Sequence, residues 1–158
     1  MTEPDITAFI RTLVGKKLES FCCEADILDF GFSDDLVLHA MGCTRVVRGS
    51  DILLTTCDYQ SWDGEVSTNN DEWWNMTQYR AEMIGGTVLT AEINPLHDLI
   101  ITMDNGVTVQ CLIANAASPH YGEEQEQWAL FEHTDNHSGA FLTVYNKEMD
   151  FSPRKEIR

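Results

Sequence analysis

Apolar residues open the chain at helical spacing. Ile6, Phe9, Ile10, Leu13 and Val14 recur behind Pro4 and Asp5, and Gly15 can end the run in a left-handed conformation. This pattern predicts a short amphipathic helix docked on a core. From Lys17 the period falls to two. Leu28, Phe30 and Phe32 alternate, Asp34 and Asp35 interrupt, and Leu36, Leu38 and Ala40 alternate again, which predicts a β-hairpin.

The pattern returns seventy-one residues later. Gly86, Leu89, Leu99, Ile101, Met103, Asn105, Gly106, Val107, Val109 and Cys111 stand, without a gap, where Gly15, Leu18, Leu28, Phe30, Phe32, Asp34, Asp35, Leu36, Leu38 and Ala40 stood. Asn105-Gly106 is a strong hairpin signal, because both residues readily take the positive φ of a type I′ turn. Asp71 to Ile84 is expected to be a second helix, with Trp73, Met76, Arg80 and Ile84 near one stripe and Gly85-Gly86 at its end. A third apolar strand follows each hairpin, Ile52 to Thr56 and Trp128 to Phe131. A fourth, Ala140 to Tyr145, is expected in the second copy only.

These elements predict an α+β fold, mostly antiparallel β, with two helix-plus-hairpin repeats related by pseudo-twofold symmetry. One domain over residues 1–151 would contain the tandem repeats, about 5–62 and 71–146. Residues 152–158 hold three of the ten basic residues and are expected to form a loose tail.

Composition adds constraints on partners. An apolar fraction of 43% with four Trp, seven Phe and four Tyr is that of a globular chain. Ten Lys plus Arg against 26 Asp plus Glu leave a formal charge of −16, which repels nucleic acid and anionic membranes and favours a basic partner. No run approaches the roughly 18 apolar residues that span a bilayer, and no charged segment followed by an apolar stretch opens the sequence. A cytoplasmic protein is the expectation. Cys22, Cys23, Cys43, Cys57 and Cys111 are odd in number and irregularly spaced, which fits free thiols in a reducing compartment.

Candidate chemistry is sparse. His133 and His137, with Glu132 and Asp135 nearby, have the residue types of a metal site, and their interval is that of half a His-x-x-x-His pair. That interval has its meaning on a helix, whereas Thr134 to Gly139 reads as a polar turn. No metal or cofactor is therefore expected, and a small metal-dependent hydrolase built on His133, Asp135 and His137 stands as the alternative. The cysteines near strands read as small buried hydrophobes, and His39 as an outward-facing polar residue. A Walker loop, a dinucleotide fingerprint, a Gly-x-Ser-x-Gly elbow, a His-Glu-x-x-His helix and an EF-hand loop are all missing from the sequence, so no enzyme is expected.

Two stretches look like partner surfaces. Asp58-Tyr59-Gln60-Ser61-Trp62-Asp63-Gly64-Glu65 sets aromatics among carboxylates, and Ser118 to Gln127 is an acidic insertion relative to the first copy. In size, acidity, β-rich pattern and the helix ends at Val14-Gly15 and Ile84-Gly85, the chain resembles the small acidic bacterial immunity proteins of polymorphic and contact-dependent toxin systems. That resemblance implies an inhibitor that covers a basic toxin domain, often a nuclease. On this reading Asp58, Tyr59, Trp62, Asp63, Glu123, Glu124 and Glu126 are the candidate contacts. A further alternative is a small-ligand domain with its pocket between the two repeats.

Overall fold

The computed structural model of the chain describes residues 3–24, 27–58, 74–116 and 125–155. In chain order these form α1 (Glu3–Arg11), β1 (Leu18–Glu24), β2 (Ile27–Phe32), β3 (Leu36–Ala40), β4 (Cys43–Arg48), β5 (Asp51–Thr55), a 3-10 turn (Thr56–Asp58), α2 (Trp74–Met83), β6 (Val88–Ile93), β7 (Leu99–Met103), β8 (Val107–Leu112), β9 (Glu126–Glu132), β10 (Phe141–Tyr145) and β11 (Met149–Ser152). The period-two reading holds residue by residue in both hairpins. Leu28, Phe30, Phe32, Leu36, Leu38 and Ala40 are buried in β2 and β3, and Leu99, Ile101, Met103, Val107, Val109 and Cys111 in β7 and β8. Each such side chain taken out of water contributes roughly 1.5–3 kcal/mol when large.

The strands form two antiparallel sheets whose order departs from chain order. One is β1-β2-β3-β9-β10-β11 and the other β5-β4-β8-β7-β6. The chain crosses between sheets after β3 and again after β8, so the first hairpin is extended by β9 and the second by β4. Gln127, 2% exposed, sits where both crossings pass. Its carbonyl accepts Met41 N–H at 2.9 Å and Gly42 N–H at 2.7 Å from the first crossing. Its side-chain oxygen accepts Ala114 N–H at 2.7 Å from the second, and its amide donates to the Gln125 carbonyl at 3.1 Å. A Cβ on Gly42 would stand 2.8 Å from that side-chain oxygen, so the close approach requires glycine.

The two sheets also meet where β1 and β6 begin. Lys17 and Thr87 form an antiparallel bridge. Around it Gly15 N–H donates to Val88 O (2.9 Å), Val88 N–H to Lys16 O (2.8 Å), Leu18 N–H to Gly86 O (2.9 Å) and Gly85 N–H to Leu18 O (2.8 Å). Gly15 and Gly85 hold φ values of 85° and 96° there, in the left-handed region that side chains disfavour. A single core gathers both inner faces and the helices. Ile6, Phe9 and Ile10 bury one face of α1, which packs against β6, Leu13 is buried in the turn that follows, and Phe9 reaches Phe151 of β11 with ring centroids 5.3 Å apart. Helix α2 packs against β5 and β1 with Met83 buried.

Several local expectations are corrected. Val88 and Ala91 are the buried residues of β6, while Leu89 is 57% exposed, so the gapless match fails in the first strand of each unit. The longer β6–β7 connection restores it at Leu99. Two strands follow the first hairpin rather than one. Unexpected β4 buries only Thr44 and Val46, a weak alternation that sequence pattern does not separate from a loop. Asp34 and Asp35 both take positive φ (60° and 58°), whereas in the second hairpin only Gly106 does (81°). Asn105 instead turns its side-chain amide onto the carbonyls of Glu82 and Met83 at the end of α2. Arg80 and Val14 face solvent, outside the expected stripes. The tail is tied through its described part, since Ser152 ends β11, Arg154 pairs with Glu132 and Lys155 N–H donates to Ser138 O at 2.9 Å. Among the described residues no helix is long and apolar enough to cross a membrane.

Candidate functional site

Strand register sets which outward side chains become neighbours. Across the six-stranded sheet, Cys22, Asp29, His39, Ala129, Thr143 and Asp150 stand side by side, one per strand. The adjoining row is Ser20, Gly31, Val37, Phe131, Phe141 and Ser152. Buried Leu28, Leu38, Leu130 and Leu142 alternate with these positions, so both rows lie on the face turned away from the core.

A line of contacts runs across that face. His39 Nε2 donates to Asp29 Oδ2 at 2.9 Å. The His39 ring meets Phe131 edge to face, with centroids 4.9 Å apart and planes at 84°. Phe131 in turn stacks on Phe141 at 4.9 Å and 12°. Phe141 remains 43% exposed, and Glu24, Glu126 and Asp150 are exposed on the same sheet. The arrangement joins an aromatic anchor to carboxylates on a flat surface, a combination suited to a partner that carries cationic side chains.

At the end of this face, beyond Phe131 and Phe141, the β9–β10 turn encloses a cavity of about 420 Å³. The turn is held from within. Thr134 O accepts His137 N–H at 3.1 Å, and Thr134 Oγ1 accepts the N–H groups of Ser138 (3.0 Å) and Gly139 (3.2 Å). Glu132 Oε2 accepts Ala140 N–H at 2.8 Å and Arg154 Nε–H at 3.0 Å, and Oε1 accepts from the second guanidinium nitrogen at 3.0 Å. Partial burial favours the neutral form of Glu132, but the hydrogen bonds from Arg154 and Ala140 outweigh it and hold the carboxyl below its ordinary range. Larger but more open is a groove of about 890 Å³ between the β6–β7 connection, the end of β8 and the β10–β11 turn. A space of about 250 Å³ lies between α1 and β6.

Of the contacts expected from sequence, Asp58 and Glu126 fall among the described residues. Asp58 ends the 3-10 turn behind β5, where its Oδ2 accepts Thr55 N–H at 2.8 Å, and Glu126 is exposed at the start of β9 in the other sheet. Tyr59, Trp62, Asp63, Glu123 and Glu124 lie outside the described residues. His133, Asp135 and His137 are not brought together as ligands, and among the described residues no group of three His, Cys, Asp or Glu could hold a metal ion. The polar-turn reading of Thr134 to Gly139 agrees with its hydrogen bonds.

Three of the thiols, Cys22, Cys23 and Cys111, are poorly placed as nucleophiles. Burial pushes Cys111 up to about 12, and burial with the neighbouring Cys22 does the same for Cys23. Cys22 is raised by burial and by Asp29 beside it. Sequence reasoning passed over Asp29, Phe131, Phe141 and Asp150. Counting register outward from the Ser33–Asp35 turn would have set Asp29 opposite His39, but nothing local announces that β9 adjoins β3. Compared with known protein families, characterised proteins and solved structures, the chain matches none.

Proposed function

We propose that this chain is an acidic cytoplasmic binding protein, an immunity- or antitoxin-like inhibitor that covers a basic toxin domain with the outer face of its six-stranded sheet. The observation that carries the reading is the line Asp29, His39, Phe131, Phe141, which leaves an exposed aromatic ring fixed by a stack on a sheet face that also carries Asp29 and Asp150. Fixed aromatic rings make good interface anchors because little side-chain freedom is lost on binding. The formal charge of −16 supports steering of a basic partner and fast association at low salt. Glu126 shares β9 with Phe131 and is the sequence-named contact that best fits this face.

The same reading takes the two helix-plus-hairpin units as a duplication with pseudo-twofold symmetry. It is supported by the hydrogen bonds around Lys17 and Thr87, in which Gly15 and Leu18 on one side answer Gly85 and Val88 on the other. The exchange of β4 and β9 between sheets supports it as well.

The test is retention of a partner by tagged protein from its source cells, comparing the natural chain with Phe141→Ser and with Leu89→Ser as a control on the other sheet. A basic protein held at near-stoichiometric yield by the natural chain and the control, and released by Phe141→Ser or by high salt, supports the reading. Equal retention by all three overturns the assigned face, and no retained protein overturns the binding role.

A further inference from the structure

We infer that the cavity at the β9–β10 turn is a binding site for a small planar aromatic anion, a ring bearing one carboxylate or phosphate. This goes beyond the proposed inhibitor role and does not depend on it. The cavity, at about 420 Å³, falls within the range of about 300–1,000 Å³ common for small-molecule sites. Its walls divide into an apolar and a polar part. Phe131 and Phe141 both line it, and a third ring can extend their near-parallel stack. The polar part includes His133, His137 and the Lys155 ammonium.

The charge at this spot runs against the rest of the molecule. In a chain of formal charge −16, the described lining residues include a single carboxylate, Glu132, and both of its oxygens are occupied by Arg154 and Ala140 N–H. Its negative charge is matched by Arg154, which leaves the Lys155 ammonium and two imidazoles facing the cavity without an ion-pair partner among the described residues. An anion entering there meets one charge-assisted donor, the Lys155 ammonium, beside two imidazoles, whereas a cation meets like charge. The site is also set in advance. Thr134 Oγ1 holds the turn, His137 stands at a φ of 53°, and a Cβ on Gly139 would come within 2.4 Å of the Glu132 carbonyl, so the chain here has little room to rearrange. A pre-set site loses less entropy on binding.

Titration of the full chain with benzoate and with phenyl phosphate, followed by NMR of the His and Phe ring protons, tests the inference. Saturable shifts of the His133, His137 and Phe141 signals are expected. Uncharged benzamide and non-aromatic acetate should each bind at least about tenfold more weakly. Preference between benzoate and phenyl phosphate identifies the anionic group. Lys155→Met and His137→Ala, both on exposed positions, should each weaken benzoate about fivefold or more, with the buried Trp128 signal reporting an intact fold. No saturable shift with either anion up to about 10 mM, equal binding of benzamide, or indifference to both substitutions would overturn the inference.

Discussion

Gln127 holds Gly42 at 2.7 Å through its main-chain carbonyl, and by this contact the two passages between the sheets are joined. The same residue accepts Ala114 N–H through its side chain. One buried residue therefore serves the chain leaving β3 and the chain approaching β9, through its main-chain carbonyl and its side chain respectively. Because those passages exchange strands between the sheets, Gln127 bears on the whole topology rather than on one loop.

Replacing Gln127 by Met keeps its length but removes the buried side-chain oxygen that accepts Ala114 N–H and the amide that donates to Gln125 O. A loss of about 0.5–1.5 kcal/mol is expected, read as a lower urea midpoint with an unchanged slope. A loss under about 0.5 kcal/mol would mean that water or a shifted backbone replaces the amide.

Gly15 and Gly85 test the contact between β1 and β6. Nothing lies within 4 Å of a Cβ placed on Gly15, so Gly15→Ala measures the cost of its left-handed backbone alone. About 1–2 kcal/mol is expected for Ala at either glycine, and less for Asn, which tolerates that conformation. Thermal denaturation of the four variants would show whether Asn is the milder substitution at both.

The Glu132 carboxyl has a folded-state value below its unfolded one, so its contribution is present above the unfolded value and disappears as the pH falls through the folded one. The window lies below the ordinary carboxylate range of about 4–5. Arg154→Gln removes two of the three hydrogen bonds that lower it. Melting temperature measured from about pH 6 to about pH 3 should therefore fall less steeply in the variant than in the natural chain, with the two curves converging at the acid end.

Thiol accessibility follows burial. Cys57 and Cys22 are exposed, whereas Cys111 is buried and pushed up to about 12. A neutral-pH maleimide pulse read by mass spectrometry should label Cys57 first, Cys22 more slowly and Cys111 only on unfolding. Early labelling of Cys111 would show that the five-stranded sheet opens locally.

Much of this architecture is legible from the amino-acid order alone. Alternation in 28–40 and 99–111 marks two hairpins and assigns their inner faces, because side chains on a strand point to opposite sides in turn and only one side is covered. The stripe at Ile6, Phe9 and Ile10 marks α1, which ends at Arg11, and Gly15 closes the turn that follows it. His39 was legible as outward-facing for the same reason. These are local consequences of backbone geometry, and they survive whatever the strands pair with.

Pairing between distant strands is a different matter. Alternation says that β3 buries Leu36, Leu38 and Ala40, but it reads the same whether the neighbour is β4 or β9. The tertiary structure decides for β9, through contacts such as Gly42 with Gln127 that join residues far apart in sequence. It also decides that Val88 rather than Leu89 enters the core, since the bridge at Lys17 and Thr87 sets the register where β6 begins. The neighbours of His39 follow from the same decision. Phe131 reaches it only because β9 lies against β3, and Phe141 only because β10 follows, so the exposed aromatic line and the cavity behind it exist in the packed sheet and in no shorter stretch of chain.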